Sequence, residues 1–540
     1  MLTSLITYYT VGIAVTLVAA MATWIITTRR NWRVPNRVVV GIIAIVPFGL
    51  LIGQCLKYET LHMYTDVSHW LQLLQGITIT GRPDVLNQAF LVPSGLNYLS
   101  IHFVPLIYLL AIPFALFPFP QTIFILNVAL MSSAAIPLYL LARHHTGDRR
   151  FALVMVAILF WYPTFQYITL YEFEMLRFAI PVLFWMIYCW EKQHIGLYWL
   201  FAVLAVLVRE EVGLTVAMFG AYLAWHERRR THGLATMALG VGAFFLITRW
   251  VMPALHHGAF IHIAAGWFSQ FGNTPLEIVK GALTHPLLLM TSILQPIKLA
   301  NIAMLFIPLL FLPLTAPAAL VGIVANVGVG LLSGAPEHSS YMLYYVAPSV
   351  PFLFFALING WPRLVTRLPA PATMTTMLIG VVIANTLFGP SPLSLQFWSH
   401  ALRPAPFRTQ NFHWSEYRVT DHHHKTDELI RRIPNDAIVS AEQSLAPRLY
   451  QKRGTMIFPQ LETADKTYQA NYVFIDKTNP IKTGVATVPG SWDGLRQNPQ
   501  FYYDWVEQRP QEWELLRADD GYFLYRRKDT VTSEFSHPPV

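Results

Sequence analysis

The chain has 540 residues and a formal net charge of +8, with 54% hydrophobic, 14% aromatic and only 13% charged residues. Soluble domains carry about 25% charged residues, so an ordinary soluble enzyme is excluded, and the aromatic content excludes a disordered chain. Two cysteines, Cys55 and Cys189, exclude a disulfide framework, and the basic excess reads as loop bias at a membrane rather than as a nucleic-acid partner.

A mean hydropathy of +0.42 requires long apolar runs. A spanning helix needs about 20 apolar residues, and about twelve such runs precede Gly389. They are Leu5–Thr27, Val38–Leu56, Thr122–Ala142, Phe151–Ile168, Arg177–Trp190, Tyr198–Val208, Val212–Trp225, Leu234–Met252, Ala300–Leu314, Ala316–Leu332, Tyr345–Ile358 and Thr373–Phe388. The first lacks a basic leader and a small-residue cleavage site, so it reads as a retained span. Leu96–Phe117, broken by Pro105 and Pro113, reads as a juxtamembrane or re-entrant helix.

After Pro392 charges become frequent and apolar runs shrink to strand length. Ala437–Ala441, Met456–Phe458 and Tyr472–Ile475 read as buried strands, and Thr426–Ile433 and Gln443–Tyr450 as helices. Trp513–Leu516 and Tyr522–Tyr525 read as a hairpin turning at Asp519, Asp520 and Gly521. The fold class expected is an α-helical polytopic membrane protein with a small C-terminal α/β domain. Its parts are N-terminal spans at 1–56, a long external loop with juxtamembrane helices at 57–121, a membrane core at 122–392 and an external α/β domain at 393–540. Orientation follows from the basic loops Arg29–Arg37, Arg143–Arg150, Arg228–Arg230 and Arg363–Arg367, which are cytoplasmic by the positive-inside rule. The protein is then a multi-pass protein of the cell (inner) membrane, with its C-terminal domain external or periplasmic.

Chemistry-bearing residues recur on the outer side. His62, Asp66 and His69 are spaced to share one helical face, and Asp66 is the candidate general base. Arg82 follows in a Gly-Arg-Pro turn, where a cation can hold a phosphate, and His102 lies near Pro105. Glu172 and Glu174 form paired acids between two spans, with Arg177 spaced to pair with Glu174. Arg209-Glu210-Glu211 interrupts a nearly uncharged stretch, which is costly beside lipid unless it faces water or partners. His338, Tyr344 and Tyr345 lie on the same side, where tyrosines also form the interfacial belt. His422-His423-His424 reads as the solvated first turn of a helix. No nucleotide-binding loop, nucleophile elbow or zinc signature is present in the sequence.

The runs Thr65-Asp66-Val67-Ser68, Gly81-Arg82-Pro83, His102-Phe103-Val104-Pro105, Arg209-Glu210-Glu211-Val212-Gly213-Leu214 and Tyr344-Tyr345-Val346-Ala347-Pro348 carry a resemblance. They resemble the domain-of-unknown-function 2079 family of prokaryotic multi-pass membrane proteins. That family is similar in layout to GT-C membrane glycosyltransferases such as protein O-mannosyltransferases. The resemblance implies sugar transfer from a polyprenyl-phosphate donor to an unknown acceptor (glycan, lipid or protein) at the external face. Asp66, Glu172 and Glu174 would be catalytic. His62, Arg82, His102, Arg177, Arg209, Glu210, Glu211, His338 and Tyr345 would bind substrate. A divalent metal ion held by Asp66 and Glu174 is an open element of this reading. The rival expectations are a lipid or solute transporter or flippase, and a non-catalytic membrane scaffold.

Overall fold

The computed structural model describes residues 2–30, 32–86, 97–256, 263–399, 412–463, 466–478 and 499–528. The N-terminal part comprises α1 (Leu2–Arg30), α2 (Asn36–Glu59), α3 (Thr65–Thr80), α4 (Ile107–Leu116), α5 (Pro120–Ser133), α6 (Ala135–Thr146), α7 (Arg149–Trp161) and α8 (Pro163–Leu170). It continues with α9 (Ala179–Glu191), α10 (Ile195–Val208), α11 (Val212–Ala221), α12 (Arg230–Leu246), α13 (Met252–Leu255), α14 (Pro275–Thr284), α15 (Pro286–Ile293) and α16 (Pro296–Phe306). Then follow α17 (Val324–Leu332), α18 (Val350–Val365), α19 (Ala370–Phe388) and the short α20 (Leu395–Trp398).

The twelve apolar runs fall largely on α- or 3₁₀-helix, with Ala300–Leu314 interrupted at Leu310 and Phe311, but among the described residues only six helices are long and apolar enough to cross a bilayer unbroken. Two further pairs, α7–α8 and α15–α16, are bent by 51° and 55°, which raises the number to eight at most. Proline explains both breaks: Pro163 and Pro296 each start the second helix, where a missing N–H costs nothing. α4 has 10 residues, a rise of about 15 Å, so it is too short to cross a core of about 30 Å.

The two ends of the helical part differ in chemistry. Arg150 Nη2 donates to Val34 O at 2.9 Å, joining the first two basic loops. His145 lies 2.9 Å from Glu191, and Trp190 Nε1 donates to Glu227 at 2.7 Å beside Arg228–Arg230. The ring of Phe151 stacks on Trp361 at 4.3 Å, which places Arg363 at this end too. The basic loops therefore gather at one end.

The α/β domain sits at the other. It contains α21 (Asp421–Arg431), β1 (Ile438–Ala441), β2 (Gly454–Ile457), β3 (Tyr472–Asp476), α22 (Pro499–Glu507), β4 (Trp513–Asp519) and β5 (Tyr522–Arg527). The sheet order is β2-β1-β3-β5-β4, with β2, β1 and β3 parallel and β5 antiparallel to β3 and β4. The three parallel strands are buried throughout, as expected of strands covered on both faces. Alternation along β3 sends Phe474 toward Leu429 and Ile433 of the α21 side, and Val473 and Ile475 toward Tyr503 and Val506 of α22. The expected helix at Gln443–Tyr450 is only a 3₁₀ turn over Ala446–Leu449, since Pro447 cannot donate to a helical ladder.

The domain is docked by polar contacts to the end of α2 and to α3. Arg448 reaches Glu59 and Asp427 at 2.8 Å each and lies over the Tyr58 ring. Thr60 Oγ1 donates to Glu416 O at 2.6 Å, Tyr450 Oη to Pro118 O at 2.9 Å, and the Thr455 N–H to Gln72 Oε1 at 3.3 Å. Leu61, at φ 58°, turns the chain after α2 and buries its side chain in the α/β core. α3 is thus covered by protein over Val67–Leu74.

Candidate functional site

At the end of the helical part that carries the α/β domain lies a layer of charged side chains. It is assembled from the start of α3, the turn after α8, the α10–α11 junction and the segment before α4. Charges so placed must be paired, because removing an ion from water costs several kcal/mol or more.

The turn after α8 is held from behind. Arg177, fully buried, donates to Asn127 Oδ1 at 3.0 Å, to Thr169 O at 3.5 Å and to Glu172 O at 2.5 Å. Gln54 Nε2 donates to Thr169 O at 2.8 Å, and Lys57 Nζ lies 3.5 Å from Leu170 O. Arg177 therefore does not pair with the Glu174 carboxylate as its spacing suggested. It spends its guanidinium on backbone carbonyls that the turn leaves unpaired, and it presents no surface to a phosphate.

Glu172 is likewise engaged. Its Oε2 accepts from the backbone N–H groups of Asp66 at 3.0 Å and Val67 at 3.2 Å. A carboxylate from another segment thus caps the N-terminus of α3, satisfying donors that no side chain of α3 itself reaches.

Asp66 stands above this cap, with its side chain a quarter exposed. Tyr171 Oη donates to its Oδ2 at 2.5 Å. Burial, then the charge of Glu172, push the Asp66 carboxyl up. His69, one turn on, has its pKa pushed down to about 3 by burial and is neutral; its Nε2 lies 3.1 Å from Tyr98 Oη.

The second half of the layer centres on Arg209. Its Nη2 lies 2.9 Å from His102 Nε2, its Nη1 3.5 Å from Glu174, and its Nε 3.2 Å from Glu211. A guanidinium can only donate. His102 Nε2 therefore accepts, and its Nδ1 carries the proton that goes to Glu210 Oε1 at 2.8 Å. Glu210 also accepts the Phe103 N–H at 2.9 Å, so it fixes the chain before α4 to the start of α11. The Tyr344 ring lies 5.8 Å from the Arg209 guanidinium and 5.2 Å from the Tyr171 ring, closing the layer between its halves. Burial raises Glu174 to about 7 against the opposing effect of Arg209. Burial also raises Glu211, whose side chain is 26% exposed.

The structure thus brings together Asp66, Glu172, Glu174, Arg177, His102, Arg209, Glu210 and Glu211. His338 and Tyr345 lie at the edge: their rings meet at 4.4 Å, and Tyr344 Oη donates to Tyr345 Oη at 3.1 Å. Two expected members lie elsewhere. His62 is not on the helix with Asp66, since α3 starts at Thr65; it pairs with Glu416 of the segment leading into the α/β domain. Arg82 follows the opposite end of α3, which has 16 residues and is therefore about 24 Å long, and it is exposed. His422 is not simply solvated: it lies 3.1 Å from both Asp476 and Asp520. Sequence reasoning missed Tyr171, Tyr98, Lys57, Gln54 and Asn127. The signal for the last three was a single polar residue inside an apolar run.

Among the described residues no three His, Cys, Asp or Glu side chains are arranged to hold a metal ion. As placed, Asp66 and Glu174 do not fit one: Tyr171 occupies Asp66, and Arg209 and the Leu176 N–H occupy Glu174.

Fold and site together define a multi-pass helical membrane protein with a charged layer at the end that carries an α/β domain. The chain belongs to the family described as "Predicted membrane protein (DUF2079)", whose model matches residues 74–524 and so begins after His62 and Asp66. Among solved structures the chain is similar to the Archaeoglobus fulgidus oligosaccharyltransferase, solved in complex with Zn and sulfate. The identity is 13%, over 81% of this chain and 68% of that one, with a TM-score of 0.44. No curated protein matches.

Proposed function

We propose that this protein is a membrane glycosyltransferase of the GT-C layout, moving a sugar from a lipid-phosphate donor to an acceptor hydroxyl at the end that carries the α/β domain. By the positive-inside rule the basic end is cytoplasmic and the α/β domain external. The observation that carries the reading is Asp66: a carboxylate open to solvent, oriented by Tyr171 and Glu172, over a buried layer of paired charges. The charges gather at helix ends rather than within the spans, which favours a transferase over a transporter with a midplane site.

In the reaction the acceptor oxygen attacks the anomeric carbon as its proton passes to Asp66. The bond from that carbon to the phosphate oxygen breaks, and the lipid phosphate leaves with the electron pair. Arg209 is the cation best placed to meet the leaving charge, by exchanging its contact with the part-exposed Glu211 for phosphate. Arg177 and Glu172 then act by holding Asp66 in place.

The test is Asp66→Asn in a purified-protein assay of sugar release from polyprenyl-phosphate-linked donors. The amide still accepts from Tyr171, so the fold is kept, but it takes no proton. Turnover falls by about a hundredfold to ten-thousandfold. A variant that melts normally and turns over at the wild-type rate removes Asp66 from the mechanism.

A further inference from the structure

The segment 263–284 carries a feature that the charged layer does not use. α14 begins with a reciprocal cap: Thr274 Oγ1 accepts the Glu277 N–H at 3.3 Å, and Glu277 Oε2 accepts the Asn273 N–H at 2.9 Å. Pro275 at its first position fits the same start. On this well-formed helix, Leu276, Val279 and Leu283 are 78%, 57% and 76% exposed. Their spacing of three and four puts them on one face. Glu277 and Lys280 stand exposed along the polar edge, and Gly281 and Ala282 are buried on the inner side. There Gly281 faces the backbone of Phe271 so closely that a Cβ would lie 2.0 Å from its carbonyl oxygen.

The helix is tied to the edge of the charged layer. Trp267 O accepts the Gly334 N–H at 2.6 Å. Gln270 Nε2 donates to Leu332 O at 2.8 Å. The Trp267 ring packs on His338 at 4.2 Å, and His338 on Tyr345 at 4.4 Å.

From this arrangement we infer that α14 is an interfacial membrane-binding helix. It lies in the leaflet surface beside the charged layer, with Leu276, Val279 and Leu283 immersed among acyl chains. Two observations name the occupant as bilayer lipid. The exposed row continues past His285 into α15, where Leu287 and Met290 are 77% and 57% exposed, and to Leu294 just after it, 54% exposed. That helix opens the bent apolar pair long enough to cross a membrane. The helix itself has 10 residues, a rise of about 15 Å, so it lies along the interface rather than crossing it. A charged edge flanking an exposed apolar face fits a helix lying in the interface plane. This inference stands apart from the transferase reading. Its consequence is that the lipid-side rim of the charged layer is set at headgroup depth.

The test uses the full chain in phosphatidylcholine vesicles, with Cys55→Ser and Cys189→Ala as background. A bimane label is placed singly at Leu276→Cys, Leu283→Cys or Glu277→Cys. The expected result is loss of emission from the Leu276 and Leu283 labels when the acyl chains carry bromine, with little loss to aqueous iodide. The Glu277 label is expected to show the reverse. Two leucine positions guard against one label disturbing the helix. If both leucine labels are quenched by iodide and not by brominated lipid, α14 faces water and the inference fails. If neither quencher reaches them, protein covers the face and the inference fails equally.

Discussion

Replacing Arg209 with methionine is the sharpest probe of the charged layer, because the guanidinium is 3% exposed and serves three carboxylates and a histidine at once. Methionine keeps most of the volume and removes the charge. Breaking a buried pair by removing one partner costs about 3–5 kcal/mol, and the lost contact with the Tyr344 ring adds about 0.5–2 kcal/mol. Glu211 is part-exposed and recovers some hydration, so the lower end, about 3–4 kcal/mol, is expected. For domains of 150–250 residues 1 kcal/mol moves the midpoint by about 2–4 °C; in this longer chain the fall is about 5 °C. The deficit should also grow with pH. Glu174 already binds its proton up to about 7, and without Arg209 it holds it higher still. The folded state then carries a proton that the unfolded chain has released above its ordinary carboxylate range, so stability falls as pH rises. The assay is thermal unfolding of the detergent-solubilised protein on either side of neutrality, for wild type, Arg209→Met and Arg209→Met with Glu174→Gln. The added amide should restore part of the loss, mostly at high pH. An Arg209→Met variant that melts with wild type at every pH would refute the buried ion-pair layer.

Transfer should rise with pH through the neutral range and then level, since burial and the Glu172 charge raise Asp66 and only its ionised form accepts a proton; a flat profile under single-turnover conditions would exclude it as the base. In the α/β domain, burial alone would lower His422, but its hydrogen bonds and charge contacts with Asp476 and Asp520 outweigh this and raise it. A raised histidine lends stability below its unfolded value of about 6.5 and loses it as pH climbs through the folded one. Amide exchange in the β4–β5 hairpin should therefore quicken above neutrality in wild type and stay pH-insensitive in His422→Asn after correction for intrinsic rates. Arg448→Ala removes two carboxylate contacts and the Tyr58 ring contact, so the α/β domain should become more readily cut from the helical part by protease, while Arg432→Ala, which pairs with Glu428 one turn back in α21, should not change the cleavage rate.

Parts of this layer could be read in the sequence for one physical reason, and the rest hidden for another. Asp66, Glu172, Glu174 and Arg209–Glu211 interrupt apolar runs, and a charge near hydrocarbon must be paired or functional, so each announced itself. Helix length could not be judged the same way. Composition marks where apolar residues are, but Pro163 and Pro296 decide where a run bends, and helices as short as α10 and α11 still join the basic end to the charged layer. The α/β strands were legible because parallel strands covered on both faces are short, wholly apolar runs. His62 was misplaced because its spacing of four from Asp66 is helical only if the helix extends that far, and Leu61, in the left-handed region, ends the preceding chain direction first. The roles of Arg177 and Glu172 were invisible in principle. One donates to carbonyls of an irregular turn eight and five residues back, which no helix or strand spacing announces, and the other caps α3 from across 105 residues of chain. Their geometry sorts the acids into kinds that sequence alone cannot separate. Glu172 is consumed in holding α3 and Glu210 in holding His102, leaving Asp66 and Glu211 as the layer's part-exposed carboxylates. If chemistry occurs here, substrate meets Asp66 and Glu211 first, and the buried residues beneath them set their charge.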